Sequence, residues 1–330
     1  MTKVFVTGAS GFIAKHILRE LFDKRYEVRA GIRSERRKGE LEALYPGNTL
    51  EFAYLDLDKD DGWDTAMEGC DVLMHTASPF ILGTPKDPQD LIRPAVEGTK
   101  RAMRAAQAAG IKRVILTSSC SAIYKEASKP KTAPSDETNW TTPDAPFVSA
   151  YEASKTLGEK AAWDFVADHP DIALTTIVPG AVYGAPMDAH YGASLQLIEQ
   201  FMTGKVPMAP PMHMPSVDVR DVAMMHVAAI DHDAAKGERF AANAGAVEMI
   251  EVAKILHDWD PSLKTPTRVA PIWLMRLLSP FMADAKAVMQ SAGRNLDVSG
   301  AKAEATFGFK FRPAAGAIVA AAEAISAKKP

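Results

Sequence analysis

The stretch Thr7-Gly8-Ala9-Ser10-Gly11-Phe12-Ile13-Ala14 decides the fold. It follows a β-branched run, residues 3–7, and opens an amphipathic run, residues 12–22, so it predicts a strand, a tight turn and a helix. In its spacing, G-x-x-G-x-x-A, the glycines permit a sharp turn and the alanine permits close helix–strand packing. The N–H groups of the helix N-terminus can then bind a pyrophosphate. We therefore predict a nucleotide site here; a turn that only caps the helix is the alternative.

Strand-like and helix-like segments alternate through the first half of the chain. Strands are predicted at residues 27–33, 49–55, 71–75, 113–117 and 172–178, and long helices at about 88–109 and 151–168. Such alternation implies parallel strands, right-handed crossovers and a doubly wound α/β sheet, the Rossmann architecture. The runs VFVT, VLMH, VILT and TTIV place β-branched or apolar residues on both faces, which is typical of strands covered by helices on both sides.

The pattern changes after Val178. Residues 202–215 are rich in proline and methionine and predict a loop, followed by a short strand and helix at 217–230, a strand at 239–242 and a helical C-terminal third. We predict a nucleotide-binding domain of residues 1–180 plus 215–245 and a smaller, mostly helical substrate lobe of residues 181–214 plus 246–330. The apolar stripe at residues 273–278 is expected in the core rather than at an intersubunit face. Monomer and homodimer both remain open.

Composition excludes several function classes. The 330 residues include 38 basic and 41 acidic side chains, and this net charge of −3 gives no electrostatic reason to bind nucleic acid or acidic lipid. No apolar run approaches the ~20 residues that span a bilayer. Without a leader-like N-terminus, we expect a cytoplasmic protein in which Cys70 and Cys120 are reduced, buried thiols. The eight histidines lack metal-ligand spacing, so no metal site is expected, and His75 is expected to pack rather than to exchange protons.

The end of the second predicted strand discriminates between NAD and NADP. An acidic residue there accepts a bond from the ribose 2′-OH, whereas an arginine accommodates a 2′-phosphate. Here Arg33 ends the strand, and Glu35-Arg36-Arg37-Lys38 follow. Guanidinium groups suit a dianionic phosphate by charge and by forked geometry, so we predict NADP(H) as the cofactor. A solvated helix face is the alternative interpretation of these charges.

A second motif places a phenol and an ammonium four residues apart. Tyr151-Glu152-Ala153-Ser154-Lys155 opens a predicted helix, so Tyr151 and Lys155 share one face. A free phenol has a pKa of about 10, and a neighbouring ammonium favours the phenolate. Such a tyrosine can exchange a proton with a substrate oxygen while hydride moves at the adjacent carbon. Together with the strand-end hydroxyls of residues 117–119, which can polarise a carbonyl, the motif predicts an oxidoreductase.

Nearly the whole chain resembles the extended short-chain dehydrogenase/reductase family, in particular its dihydroflavonol-reductase-like and aldehyde-reductase-like branch. The resemblance is found in TGASGFIAKHI (7–17), YLDLDKDDGWDTAMEGCDVLMHTASPF (54–80), LTSSCSAIY (116–124), YEASKTLGEKAAW (151–163) and VPGAVYGAP (178–186). It implies that Tyr151 is the proton donor, that Lys155 holds the nicotinamide ribose and favours the phenolate, and that Ser119 binds the substrate oxygen. Ser118 and Ser121 are the alternatives for the serine.

The resemblance also implies which residues contact the cofactor and the substrate. At the adenosine and phosphate end these are Gly8, Ser10, Gly11, Phe12, Ile13, Arg33, Lys38 (with Arg37 as the alternative), Asp56 and the backbone of Leu57. Toward the nicotinamide they are Thr76, Ala77, Ser78, Thr117, Pro179, Gly180 and Val182, with Ser194 as a phosphate contact. For Asp56, a turn carboxylate without a ligand is the alternative. Phe80, Tyr183 and Met208 are predicted to line the substrate pocket.

Two departures from this branch bear on the substrate. Cinnamoyl-CoA reductases carry N-W-Y-C-Y-G-K around the tyrosine, where this chain has VSAYEASK (148–155), which disfavours a CoA thioester. Plant dihydroflavonol reductases place an asparagine shortly after the serines, where this chain has Tyr124, which puts a flavonoid substrate in doubt.

The predicted activity is the NADPH-dependent reduction of a small aldehyde or ketone to an alcohol. An NAD-dependent nucleotide-sugar epimerase or dehydratase and a non-catalytic NADP-binding redox sensor are the alternatives. Arg33 argues against the first, and the retained Tyr151–Lys155 pair argues against the second.

Overall fold

This computed structural model describes residues 1–79, 85, 87–128 and 132–327. Within them the strands are β1 (Lys3–Thr7), β2 (Glu27–Ile32), β3 (Leu50–Tyr54), β4 (Val72–His75), β5 (Arg113–Thr117), β6 (Ala173–Pro179), β7 (Ala181–Tyr183), β8 (His213–Asp218), β9 (Glu238–Ala242) and β10 (Ala246–Glu248). The helices are α1 (Phe12–Asp23), α2 (Glu35–Leu44), α3 (Trp63–Ala66), α4 (Gln89–Ala108), α5 (Ala150–Asp168), α6 (Ala193–Met202), α7 (Val219–Ala228), α8 (Met249–Trp259), α9 (Ile272–Leu278), α10 (Ala283–Ser291), α11 (Ala301–Phe307) and α12 (Ala314–Ser326). Short 3₁₀ turns lie at Cys120–Ala122 and Asp233–Ala235.

Seven strands form one parallel sheet in the order β3-β2-β1-β4-β5-β6-β9. The predicted doubly wound Rossmann sheet is therefore confirmed. Val4 of β1 pairs with Val28 of β2 on one side and with Val72 of β4 on the other. The direction of winding reverses between β2 and β4, so a crevice opens at the carboxyl ends of β1 and β4. The glycine turn and the segment after His75 meet in this crevice.

Helices cover both faces of this sheet, as the apolar strands require. Val4 and Val6 of β1 pack in one core cluster with Ile17 of α1, whereas Phe5, pointing the other way, packs in a second cluster with Ala102 of α4. Both clusters exclude water from the sheet, so the carboxyl ends of the strands are rigidly held.

A second, three-stranded sheet, in the order β10-β8-β7, lies with helices α6, α8 and α12 around another core cluster. Residues 213–215, which were expected in a loop, belong to β8 because they pair with β10. The chain then returns to the main sheet through α7 and β9. This layout fits a smaller, mostly helical lobe, while the predicted domain boundaries stay a prediction.

The apolar stripe of α9 is on the surface, so its predicted core position is wrong. Trp273 is 68% exposed and Leu277 is 62% exposed. The seven residues of this helix include no buried side chain. In the described part of the chain, no helix is long and apolar enough to cross a membrane.

Cys70 and Cys120 are free and buried, as predicted. The Cys120 thiol donates to the carbonyl of Val178 across 3.2 Å, and burial raises the pKa of both thiols.

Candidate active site

A cleft of about 970 Å³ occupies the crevice at the carboxyl ends of the central strands. One wall consists of the glycine turn, the ends of β2 and β3 and the segment after β4; the opposite wall comes from residues 189–205. Many predicted cofactor residues line it together: Gly8, Ser10, Gly11, Phe12, Arg33, Asp56, Leu57, Thr76, Ala77 and Ser78. A dinucleotide-sized groove is thus built from the residues that the sequence patterns singled out.

The glycine turn forms the floor of this cleft. Gly8 has a φ of +62°, and a Cβ there would lie 2.8 Å from the Cα of Ala77, so only glycine lets the two segments approach. The Gly11 N–H donates to the Gly8 carbonyl at 2.8 Å and closes the turn. No side chain among the described residues caps α1, so the N–H groups of its first turn and the positive end of its dipole remain available at the cleft.

The Thr7 hydroxyl ties the ends of β1 and β4 together. Its Oγ1 accepts the N–H groups of Thr76 (3.2 Å) and Ala77 (3.1 Å) and lies 2.8 Å from Nδ1 of His75. Burial lowers the pKa of His75 to about 4, so this imidazole is neutral. Because Thr7 Oγ1 already accepts two N–H groups, its own proton is left for Nδ1 of His75, which accepts it. His75 therefore holds the cleft wall in place, in agreement with its predicted packing role.

Of the three basic residues predicted at the adenosine end, Arg33 and the alternative Arg37 line the cleft, and Lys38 does not. Arg33 is exposed and carries no ion pair or hydrogen bond to any described residue, whereas Arg37 already pairs with Glu40 at 2.7 Å. Lys38, the predicted second base, turns instead toward Glu35 (3.3 Å) and the Phe52 ring. Arg33 lies before α2, whereas Arg37 and Lys38 are neighbours within this helix. Lys38 is therefore rotated by about 100° from Arg37, which lines the cleft.

Asp56 also lines the cleft, and its Oδ1 accepts the N–H of Asp58 at 3.1 Å. The carboxylate thus stabilises the turn after β3 while it forms part of the cleft wall.

The first turn of α5 places Tyr151 and Lys155 at the other end of the site. A capping box begins this helix: the Ser149 side chain accepts the N–H of Glu152, and the Glu152 carboxylate accepts the N–H of Ser149. Lys155 Nζ lies 5.5 Å from the centroid of the Tyr151 ring and donates to Ser78 Oγ at 2.8 Å. The ammonium thus bridges the cleft wall and the phenol, and the Tyr151 side chain is 38% exposed.

The three serines after β5 have different surroundings. Ser118 is buried and donates to Glu159 at 2.6 Å, and Ser121 is buried with its hydroxyl 3.0 Å from that of Tyr124. Ser119 is half-buried, and its Oγ accepts only the N–H of Ser121, at 3.2 Å. Among the described contacts, its hydroxyl proton therefore remains available for a substrate oxygen.

Some predicted site residues lie elsewhere. A second, small pocket lies beside the cleft and is lined by His75, Ser78, Thr117, Ser118 and Lys155, among others. Tyr183 is fully buried in the core of the small lobe and Met208 is half-buried, and neither lines the cleft or this pocket. Phe80 lies outside the described residues. Ile13, Lys38, Pro179, Gly180, Val182 and Ser194 do not contribute to these cavity walls. A Cβ on Gly180 would lie 2.4 Å from the Pro215 carbonyl, so this glycine allows the chain to cross β8 closely.

Sequence reasoning missed several polar residues behind the site. Thr117 directs its hydroxyl to Nε2 of His226 (2.7 Å), and Nδ1 of His226 donates to the Val222 carbonyl (2.7 Å). Burial lowers the pKa of His226 to about 4. Glu159 forms a buried ion pair with Arg239 (2.7 Å). The i, i+4 spacing from Lys155 to Glu159 was the available signal, whereas the partners come from distant segments.

The described residues include no group of three or more His, Cys, Asp or Glu side chains that could hold a metal ion.

Comparison with known proteins identifies the class. The profile of the NAD dependent epimerase/dehydratase family matches residues 4–245. The chain belongs to this family, the extended short-chain dehydrogenases/reductases, and the predicted resemblance is confirmed.

Individual relatives are similar over most of the chain. Cinnamoyl-CoA reductase 1 of Arabidopsis thaliana is 33% identical over 80% of this chain and 77% of its own length. The NADPH-dependent methylglyoxal reductase GRE2 of Saccharomyces cerevisiae is 32% identical over 79% of this chain and 83% of its own. The crystal structure of yeast methylglyoxal/isovaleraldehyde reductase Gre2 with NADPH superposes with a TM-score of 0.79 at 28% identity, covering 98% of each chain.

Proposed function

We propose that this chain is an NADPH-dependent reductase that converts a small aldehyde or ketone to an alcohol. The observation that supports this most directly is the position of Lys155. Its ammonium contacts Ser78 on the wall of the nucleotide cleft and lies 5.5 Å from the Tyr151 ring centroid. A proton donor is thus held beside the place where the reactive end of a dinucleotide would lie.

The cleft fits NADPH by its shape and charge. The close approach of Gly8 to Ala77 leaves room for a pyrophosphate at the uncapped N-terminus of α1, and the free Arg33 guanidinium suits a 2′-phosphate. When bound, NADPH supplies the hydride. The similar yeast reductase Gre2, which is described as NADPH-dependent and was crystallised in complex with NADPH, supports this choice.

Ser119, Tyr151 and Lys155 each have a separate role in the reduction of the carbonyl. Ser119 donates its free hydroxyl proton to the substrate carbonyl oxygen, which polarises the bond and orients the carbon toward the cleft. Tyr151 transfers its phenolic proton to that oxygen as negative charge develops on it. Lys155 binds the ribose next to Ser78, and its charge stabilises the tyrosinate that remains.

The substrate class follows from the surroundings of Tyr151. We propose an aldehyde or ketone rather than a CoA thioester, because VSAYEASK (148–155) departs from the cinnamoyl-CoA reductase motif. Relatives described as a methylglyoxal reductase and as a ketoreductase support this class, although cinnamoyl-CoA reductases are equally similar in identity.

The decisive experiment follows NADPH oxidation with a panel of aliphatic aldehydes, α-dicarbonyls, aryl ketones and cinnamoyl-CoA, in parallel with NADH. We expect turnover of one or more of the first three classes, with NADPH preferred. Purified protein that retains NAD and ignores NADPH would instead favour the epimerase or dehydratase alternative. NADPH binding without turnover of any carbonyl would favour the redox sensor.

Replacing Arg33 tests the cofactor assignment separately. In Arg33→Ala the 2′-phosphate loses a charge-assisted contact, so the Kd for NADPH is expected to rise about 10- to 100-fold while the Kd for NADH is unchanged. Arg36→Ala is the matched control, since Arg36 is exposed, pairs with Glu40 at 3.1 Å and does not line the cleft. Fluorescence titration with both cofactors measures the effect. Equal weakening of NADPH and NADH in Arg33→Ala would refute the assignment.

A further inference from the structure

Helix α5 carries two buried carboxylates that the proposed reaction does not use. Glu152 and Glu159 are 5% and 2% exposed, and their spacing of seven residues puts them on one face of the helix, two turns apart. Tyr151 immediately precedes the first, and Lys155 lies one turn before the second. Both carboxylates contact the segment of residues 118–125, which contains Ser119.

Glu159 holds the beginning of that segment. Its carboxylate accepts the Ser118 hydroxyl (2.6 Å), the Thr176 hydroxyl of β6 (2.9 Å) and the guanidinium of Arg239 (2.7 and 3.2 Å). Arg239 is itself fixed by the carbonyls of Glu137 and Asn139 and by stacking 3.6 Å above the Trp140 ring. Ser118, which precedes Ser119, is therefore hydrogen-bonded to a carboxylate that Arg239 and Thr176 hold in place.

Glu152 holds the end of the segment. Lys125 is 1% exposed, and its Nζ lies 2.8 and 3.0 Å from the two carboxylate oxygens of Glu152. The same ammonium donates to the Phe147 carbonyl at 3.0 Å, just before the start of α5. A capping box requires only the serine and the glutamate, so the contact between Glu152 and Lys125 is additional to the cap of α5. The buried ammonium therefore joins the serine segment to the first turn of the helix, where Tyr151 lies.

The two buried carboxylates fix the geometry of their partners more than they stabilise the fold. Charged groups removed from water incur a desolvation cost that apolar side chains of the same size would avoid, so such pairs are poor devices for stability alone. Hydrogen-bonded charge pairs in a water-free environment do fix distance and direction. Two such contacts, at both ends of one short segment, hold it in a single register against α5.

We propose that Glu152 and Glu159 are positioning residues, which hold Ser119 in register with Tyr151 through Lys125 and Ser118. The inference rests on the proposed reductase function, because that reaction requires both hydroxyls on one substrate oxygen. A displacement of about 1 Å between groups that act together can slow a reaction about 10²-fold. Loosening either contact should therefore slow hydride transfer without weakening NADPH binding.

The test compares two hydroxyl deletions on the same carboxylate. Ser118→Ala removes the bond from the serine segment to Glu159, and Thr176→Val removes a similar bond from β6; both leave the ion pair with Arg239 intact. A third variant, Lys125→Met with Glu152→Gln, removes both charges at the other end together. The readouts are the Kd for NADPH and a single-turnover trace of NADPH oxidation at saturating carbonyl. The rate of the trace reports hydride transfer, and its amplitude counts the sites that hold the cofactor.

We expect Ser118→Ala and the Lys125/Glu152 variant to reduce the single-turnover rate about 10- to 100-fold, with Thr176→Val and every NADPH Kd within about twofold of wild type. A merely structural role would lower the amplitude or the Tm and leave the rate per site unchanged.

Equal rates in Ser118→Ala and Thr176→Val would overturn the inference while leaving the proposed function intact. A loss of more than about 10³-fold in Ser118→Ala would also overturn it, because Ser118 would then act on the substrate directly. Wild-type protein that turns over no carbonyl would overturn the proposed function itself.

Discussion

Replacing Tyr151 with phenylalanine is expected to reduce kcat for carbonyl reduction by about 10²- to 10⁴-fold, the range in which general acid catalysis contributes. The variant loses one oxygen atom, while the ring, its contact with the Lys155 ammonium and the start of α5 remain. The Kd for NADPH should therefore stay within about twofold of wild type. Steady-state NADPH oxidation together with cofactor titration measures both quantities.

A tyrosine outside the site gives the matched control. Tyr26 directly precedes β2, at the edge of the sheet opposite the carboxyl ends that form the site, and its hydroxyl donates to Asp231 at 2.6 Å, so Tyr26→Phe should keep wild-type kcat. If Tyr151→Phe retained more than about a tenth of the wild-type rate, the proton would have to come from another group, and the proposed mechanism would be wrong.

The second large effect is the loss of stability in acid. Burial lowers the pKa of His75 and of His226 to about 4, whereas an unfolded histidine titrates near ~6.5. Between these values the unfolded chain binds more protons than the folded one. The free energy of unfolding therefore has its full value above about pH 6.5 and decreases as the pH falls toward 4. Each histidine accounts for a loss of about 3 kcal/mol over this interval.

Urea unfolding of His226→Gln across pH 8 to 4.5 isolates one of these contributions. The glutamine amide can replace both hydrogen bonds of the imidazole, but it does not titrate. The variant's loss of stability between pH 7 and 4.5 should therefore be smaller than that of wild type by about 2–3 kcal/mol.

Thr117→Val removes the hydroxyl partner of His226 but leaves the imidazole buried, so this control should keep the wild-type dependence on pH. Parallel curves for wild type and His226→Gln would show that His226 does not contribute to acid unfolding.

Local sequence signals predict the parts of the fold in which one segment determines its own structure. β1 and β5 have the predicted bounds, and α1 and α5 differ by a single residue at one end. Apolar runs of strand length, a glycine turn and a capping box define these elements without help from distant residues. β7 and β10 have three residues each, too few for a periodic pattern, and they form only because β8 lies between them.

The site was predictable to the extent that its residues belong to continuous motifs. The glycine turn, Asp56, Ser78 and the Tyr151–Lys155 pair all reach the site from such motifs. Arg37 and Lys38 are neighbours on α2, and the rotation of about 100° per residue turns Arg37 to the cleft and Lys38 to Glu35, which the charge pattern alone does not show. The Glu159–Arg239 pair joins residues 80 positions apart, and no local pattern reveals such a partner.

The exposed stripe of α9 shows a different limit. Its apolar composition is the same as that of a core helix, so composition alone cannot determine which side of a helix is covered. Only the packing of α9 against its neighbours distinguishes the two cases, and here its large side chains remain at the surface.

The two cysteine thiols determine how this enzyme reacts with maleimides and other thiol reagents. Such reagents attack the thiolate, and enclosure in the protein disfavours that form at Cys70 and Cys120 alike. Native protein should thus remain unlabelled by a maleimide for as long as its sheet stays closed. Because Cys120 directly follows Ser119 and its thiol bonds to the Val178 carbonyl, its labelling would report that β5 and β6 have opened beside Ser119.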